Sequence, residues 1–165
     1  MKFQDRFAFD HPVARMMHVF TDVDYYRRKY DRLGGNPAIE SSADDGDRFE
    51  IVVRHELDTS GSKIPDLLRK RIGDRLNLRQ QEIWTRSNRT GRVHIDVVGA
   101  PASAELVLHL RDAGDGAELH LDFDIEVAIP LVGSRVEKGI AGPITRHMHK
   151  DLRLTNKMAA DYMDV

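Results

Sequence analysis

Four polar side chains stand where an alternating strand should place apolar ones, the arrangement expected of groups that orient a ligand inside a cavity. Asp5 shares a face with Phe3 and Phe7, His55 shares one with Phe49, Ile51 and Val53, and Gln80 and Glu82 share one with Leu76, Leu78 and Trp84. A buried carboxylic acid or imidazole can also move protons, so Glu82 and His55 are candidate general acids or bases. The competing reading is structural: at a strand end or a bulge, water or a neighbour satisfies such a group without any ligand. No second catalytic partner is legible for either residue, and no catalytic residue is assigned.

Histidines form a second constellation. If Gly99 and Ala104 close one hairpin turn, and Asp112 and Ala117 the next, then His94 faces His109 and His109 faces His120. Both registers keep apolar residues opposite apolar ones. Three imidazoles would then lie in a row on the outer face, roughly 5 Å apart, with Asp96 and Asp122 beside them. That spacing permits metal binding, but an exposed row with no groups to orient the rings is a poor metal site, and no metal is expected. A pH-sensitive surface or a subunit contact fits better, because close imidazoles repel once protonated. His147 and His149, two apart on a helix, point to different sides.

Other chemistries are excluded by composition. Cysteine is absent, which removes disulfides, thiolate metal sites and thiol nucleophiles. A formal net charge of −2 argues against a phosphate-neutralising partner, so no nucleic acid is expected. Tyr25-Tyr26-Arg27-Arg28-Lys29-Tyr30 mixes rings with cations, yet reads as one packed and one solvated helix face. No Gly-rich phosphate loop, nucleophile elbow or His-Glu metal motif occurs, and no cofactor is called for. Residues 1–6 lead into an alternating segment without the apolar run of a signal or membrane span, so a cytoplasmic location is expected.

The elements that must position these residues follow from periodicity. Lys2 to Phe9 alternates as a half-buried strand. Asp10 offers a helix cap, Pro12 suits a first turn, and Val13, Met16, Met17 and Phe20 recur at helical spacing. A second helix is predicted from Val23 to Leu33, ended by Gly34-Gly35-Asn36-Pro37. Six strands follow: Ala38–Ser42, Arg48–Leu57, Leu76–Trp84, Gly91–Val98, Ala104–Arg111 and Ala117–Ile129. Their short turns imply antiparallel neighbours.

Before the third of these strands, Ile64 to Ile72 reads as a short amphipathic helix with Lys63, Arg69, Lys70 and Arg71 opposite its apolar side. It would plug one end of a barrel, act as a lid, or touch an anionic membrane transiently. After Pro130 the chain turns helical, with Val132, Val136, Ile140, Ile144, Met148, Leu152 and Thr155 making a stripe at four-residue steps. Pro143 should bend this helix or shift its start. At 165 residues the chain suits one domain spanning 1–165. A seven-stranded sheet with one apolar face must cover it, and only the terminal helix is long enough.

This order of elements resembles the START-like superfamily, also called SRPBCC or helix-grip proteins. The likeness is strongest at Ile129-Pro130-Leu131-Val132-Gly133-Ser134-Arg135-Val136-Glu137-Lys138, where the last strand bends into the gripping helix. The chain is most similar to an uncharacterised branch of that superfamily. The resemblance implies an α+β helix-grip fold: a curved seven-stranded antiparallel sheet around a long C-terminal helix, with two short helices between the first two strands. It also implies an internal cavity, used by many members for a hydrophobic ligand, and no shared catalytic motif.

The expected function is therefore binding or carriage of a hydrophobic small molecule, lipid-, isoprenoid- or polyketide-like, by a monomer or homodimer. The expected lining is Phe7, Phe9, Val53, His55, Leu78, Glu82 and Trp84 from the first, third and fourth strands. Leu108, Leu121 and Phe123 from the last two strands join it, with Ile140, Ile144 and Met148 from the helix. The alternatives are a cyclase- or hydrolase-type enzyme using Glu82 or His55 in that cavity, and a protein-interaction module.

Overall fold

A computed structural model of the chain describes residues 1–60 and 66–163. Strand β1 (Lys2–Phe9) leads into helices α1 (Val13–Phe20) and α2 (Val23–Arg32). Strands β2 (Ala38–Asp44) and β3 (Arg48–Asp58) precede helix α3 (Asp66–Ile72). Strands β4 (Arg75–Thr85), β5 (Thr90–Val97), β6 (Ala102–Ala113) and β7 (Gly116–Val127) follow, and then helix α4 (Gly133–Ala159). Of the short amphipathic segment expected before β4, Lys63, Ile64 and Pro65 lie outside the described residues.

The strands form one antiparallel sheet in the order β1-β7-β6-β5-β4-β3-β2. Each strand from β2 to β6 pairs with its successor, β3 and β4 across the segment that carries α3, and β1 pairs with β7. Alternation sets which face is buried. Along β7, Leu119, Leu121, Phe123, Ile125 and Val127 turn inward, with His120, Asp122, Asp124 and Glu126 between them on the other face. The strand ends at Val127, two residues short of the expected Ile129. There the chain leaves the ladder: Pro130 has no N–H to give, and the Gly133 N–H bonds to the Ile129 carbonyl at 2.9 Å as α4 begins. Gly133 is required, since a Cβ there would lie 2.2 Å from the Val127 carbonyl oxygen.

One expected register is corrected. Val93 pairs with Leu106 and His94 with Glu105, whereas His109 sits opposite Thr90. The tight turn beyond Val97, where the Ala100 N–H bonds to the Val97 carbonyl and Gly99 adopts φ +83, lets β6 begin at Ala102 rather than Ala104. The resulting slip is an even number of residues, so every side chain keeps its face, and hydrophobic alternation does not oppose it. The β6–β7 register is as expected, with His109 opposite His120 and Leu110 opposite Leu119.

Helix α4 is 27 residues long, roughly 40 Å at about 1.5 Å per residue, enough to cross the sheet. It passes through Pro143 without ending. Helix α2 starts on Asp22, whose side chain accepts from the Asp24 N–H. Asp10 does not cap α1: the helix starts at Val13 with Pro12 as its cap residue, and the Asp10 carboxylate accepts from Asn156 Nδ2 of α4 at 2.7 Å instead.

Packing divides the apolar interior. A large cluster joins α1, α2, the sheet centre and the end of α4, and includes Phe20 stacked on Trp84 with centroids 4.7 Å apart. Gly91, opposite Trp84 on β5, leaves room for the indole; a Cβ there would stand 2.9 Å from the ring. A smaller cluster joins Ile125 and Val127 of β7 to Val136 and Ile140 near the start of α4.

Candidate functional site

Between sheet and helix lies a cavity of about 290 Å³. Its sheet wall follows from the inward positions of neighbouring strands: Leu78 on β4, Val93 and Ile95 on β5, Leu106 and Leu108 on β6, Leu121 and Phe123 on β7. Its roof is α4, where Ile140, Ile144 and Met148 recur at four-residue steps beside Pro143. Members of both apolar clusters line it.

One end is polar, and α2 builds it. Tyr25, Tyr26, Lys29 and Tyr30 are buried on one helical face. Lys29 Nζ is 3.1 Å from Asp151 Oδ1 of α4 and lies over the rings of Tyr25, Tyr26 and Tyr30, at 4.9, 5.5 and 4.5 Å from their centroids. Burial acts against the ammonium, but the Asp151 carboxylate outweighs it, and the Lys29 pKa is held above the ordinary lysine value. Lys29 is therefore a cation rather than an amine nucleophile.

Opposite α2, the polar residues of β3 and β4 form a chain. Glu82 Oε1 accepts from Trp84 Nε1 at 2.7 Å and has the Tyr26 hydroxyl at 2.9 Å, while Glu82 Oε2 accepts from Gln80 Nε2 at 2.8 Å. The Tyr30 hydroxyl and His55 Nε2 both stand 3.1 Å from Gln80 Oε1. The imidazole stacks on the Tyr30 ring with centroids 3.8 Å apart. Burial pulls the His55 pKa down to about 4, so the ring is neutral at neutral pH. Burial likewise pushes the phenols of Tyr25 and Tyr30 well above the usual tyrosine range, keeping them protonated.

The structure brings His55, Leu78, Glu82, Leu108, Leu121 and Phe123 to the cavity wall, together with Ile140, Ile144 and Met148. It does not bring Phe7, Phe9, Val53 or Trp84 there. Phe9 packs on Phe7 and Phe20, Trp84 is covered by Phe20, and Val53 is fully buried in the large cluster. Helices α1 and α2 cover that end of the sheet and fill it with rings. Phe7 stands edge-on to His149, whose Nε2 is 2.6 Å from Asp5 Oδ2, so Asp5 is engaged by α4 and stands outside the cavity wall.

Tyr25, Lys29, Tyr30 and Asp151 line the polar end although sequence reasoning passed over them. The signal was present: positions 25, 26, 29 and 30 share one helical face, and Lys29 is the single cation on it. The segment reads as one packed and one solvated face, and nothing in it says that the packed face borders a cavity.

The histidine row does not form. His109 and His120 are paired, but His94 sits beside Glu105 and 3.1 Å from Asp96, and His120 Nε2 is 2.5 Å from Glu118. Partial desolvation opposes protonation of His94, yet Glu105 and Asp96 outweigh it and hold its pKa above the ordinary value. Among the described residues no group of three His, Cys, Asp or Glu side chains is placed to hold a metal ion. Nor, among them, is any helix long and apolar enough to cross a membrane.

Solved structures share this architecture at low identity. An aromatase/cyclase, Zhui, from Streptomyces sp. R1128 is 12% identical, with 97% of this chain and 93% of that one covered at a TM-score of 0.67. A START superfamily protein from Mycobacterium smegmatis is 15% identical over 95% of this chain and 97% of that one, at a TM-score of 0.63. A norcoclaurine synthase from Thalictrum is 13% identical over 98% and 94%, at 0.61. At these identities the likeness carries the fold alone, and it is the START-like, helix-grip fold. No curated protein matches the chain by sequence. Residues 5–158 match the family described as Protein of unknown function (DUF2505), and the chain belongs to that family.

Proposed function

We propose that this protein binds and carries a small hydrophobic molecule in the space between its sheet and α4. The observation that carries the reading is the 290 Å³ cavity itself, walled by apolar side chains from β4 to β7 and α4 and polar at one end. Burial of an apolar ligand against such a wall supplies affinity, and a few placed polar groups fix its orientation. The volume lies at the small end of ligand cavities, about 300 to 1,000 Å³, which favours a single-chain or compact ring compound over a two-chain lipid. Glu82 supports binding over proton transfer, since both its oxygens are engaged by neighbours on the protein.

Native mass spectrometry of the protein purified without detergent tests this directly. A reproducible small-molecule adduct is expected, lost in an Ile144→Trp variant whose indole fills the space. Absence of any adduct, together with no binding of an added apolar fluorophore, would sink the reading.

A further inference from the structure

The polar end of the cavity can be counted proton by proton. Gln80 Nε2 donates to Glu82 Oε2, which fixes the amide so that its oxygen faces Tyr30 and His55. An amide oxygen only accepts, so the Tyr30 hydroxyl and His55 Nε2–H are both donors to it. With its one proton on Nε2, the neutral His55 ring keeps a lone pair on Nδ1. The Thr155 hydroxyl donates to the Asp151 carbonyl at 3.0 Å, so the Tyr25 hydroxyl, 2.7 Å from Thr155 Oγ1, must donate to it.

These commitments leave acceptors: the Tyr25 and Tyr30 oxygens and His55 Nδ1. Against them stand the second N–H of Gln80 and the remaining N–H groups of Lys29, whose charge already meets Asp151 and three aromatic rings. The ionisable wall residues other than the histidines and tyrosines are Glu56, Asp58, Glu82 and Asp151 against Lys29 and Lys150. Glu56 is held by Arg75 at 2.8 Å. Burial, Lys150 and Arg146 hold the His147 pKa below the ordinary histidine value, against Asp58.

We propose that the cavity selects a neutral amphiphile carrying a hydroxyl that donates its proton to His55 Nδ1, and rejects the carboxylate of the same chain length. This rests on the carrier reading and narrows it to a ligand class. A carboxylate would bring lone pairs to the lone pair of His55 Nδ1 and would lose its hydration there.

Isothermal titration of the wild-type protein with 1-octanol and with octanoate at neutral pH decides it. Octanol is expected to bind about tenfold more tightly or better, the worth of one buried hydrogen bond. His55→Phe keeps a ring on Tyr30 and removes the acceptor. It should weaken octanol about five- to tenfold and leave octanoate unmoved. Octanoate binding as tightly as octanol overturns the selection and leaves carriage standing, whereas failure of both probes to bind overturns both. An unchanged octanol affinity in a folded His55→Phe protein overturns the role of His55. If that variant does not fold, the wild-type pair of titrations still settles the ligand class.

Discussion

The two halves of α4 do different work against the same sheet. Beyond residue 150 the helix is clamped: Leu152, Thr155, Met158 and Ala159 are buried among α1, α2 and the sheet centre, and Asn156 ties back to Asp10. Before residue 150 it spans a gap, holding the small cluster through Val136 and Ile140 and roofing the cavity with Ile144 and Met148. The roof is also the softer half, since Gly139, Gly142 and Pro143 fall within it and Pro143 donates no backbone hydrogen bond. A continuous helix can thus be both a core element and the roof of a cavity, depending on what its stripe meets.

Substitutions can break that contrast, and the largest effect is expected at the clamped end. Trp84→Ala should cost about 3 to 5 kcal/mol in chemical denaturation, because it removes a fully buried ring and the indole donor to Glu82. Lys29→Met, similar in length, should cost about 3 kcal/mol by leaving Asp151 without its partner at the edge of the interior. A loss below about 1 kcal/mol would mean that water reaches Asp151 and that the polar end is wet.

The next effect is read against pH. His55 has a folded-state pKa of about 4 against an ordinary 6.5, so the unfolded chain binds the proton first. Stability from this group is fully present above 6.5 and falls as pH drops, levelling off near 4. The slope should be about 1.4 kcal/mol per pH unit in that window, and His55→Phe should abolish it. The smallest effect is expected at the roof. Ile144→Ala, at a half-buried side chain on the cavity wall, should cost only about 1 kcal/mol, while Leu152→Ala two turns later, at a buried one, should cost about 2 to 5. Equal losses would erase the distinction between the halves.

Most of the fold was legible because it rests on period. The switch from alternating residues to a four-residue stripe at Pro130 marks the passage from β7 to α4, and the two short helices announce themselves by Val13-Met16-Met17-Phe20 and by the stop at Gly34-Gly35-Asn36-Pro37. Register between β5 and β6 was not legible, since two pairings that differ by an even step bury the same residues and only the turn chooses between them. The cavity wall was legible where inward strand positions face α4, as at Leu121 and Phe123. It was not legible at Phe9, Val53 and Trp84, which point to the same face but under α1 and α2. Whether an inward residue meets a ring or a void depends on how tertiary layers overlap, which no single segment encodes.

The sheet order carries a consequence for synthesis. Strand β1 leaves the ribosome ahead of the other six strands, yet among the described residues its neighbour in the sheet is β7; Gln4 bonds to Asp122, 118 residues away. The meander from β2 to β7 can assemble between sequence neighbours as it emerges, while β1 has no partner until β7 has been translated. Docking of that strand is then a late, sheet-completing step, and a nascent chain stalled before β7 would display Phe3, Phe7 and Phe9 to chaperones.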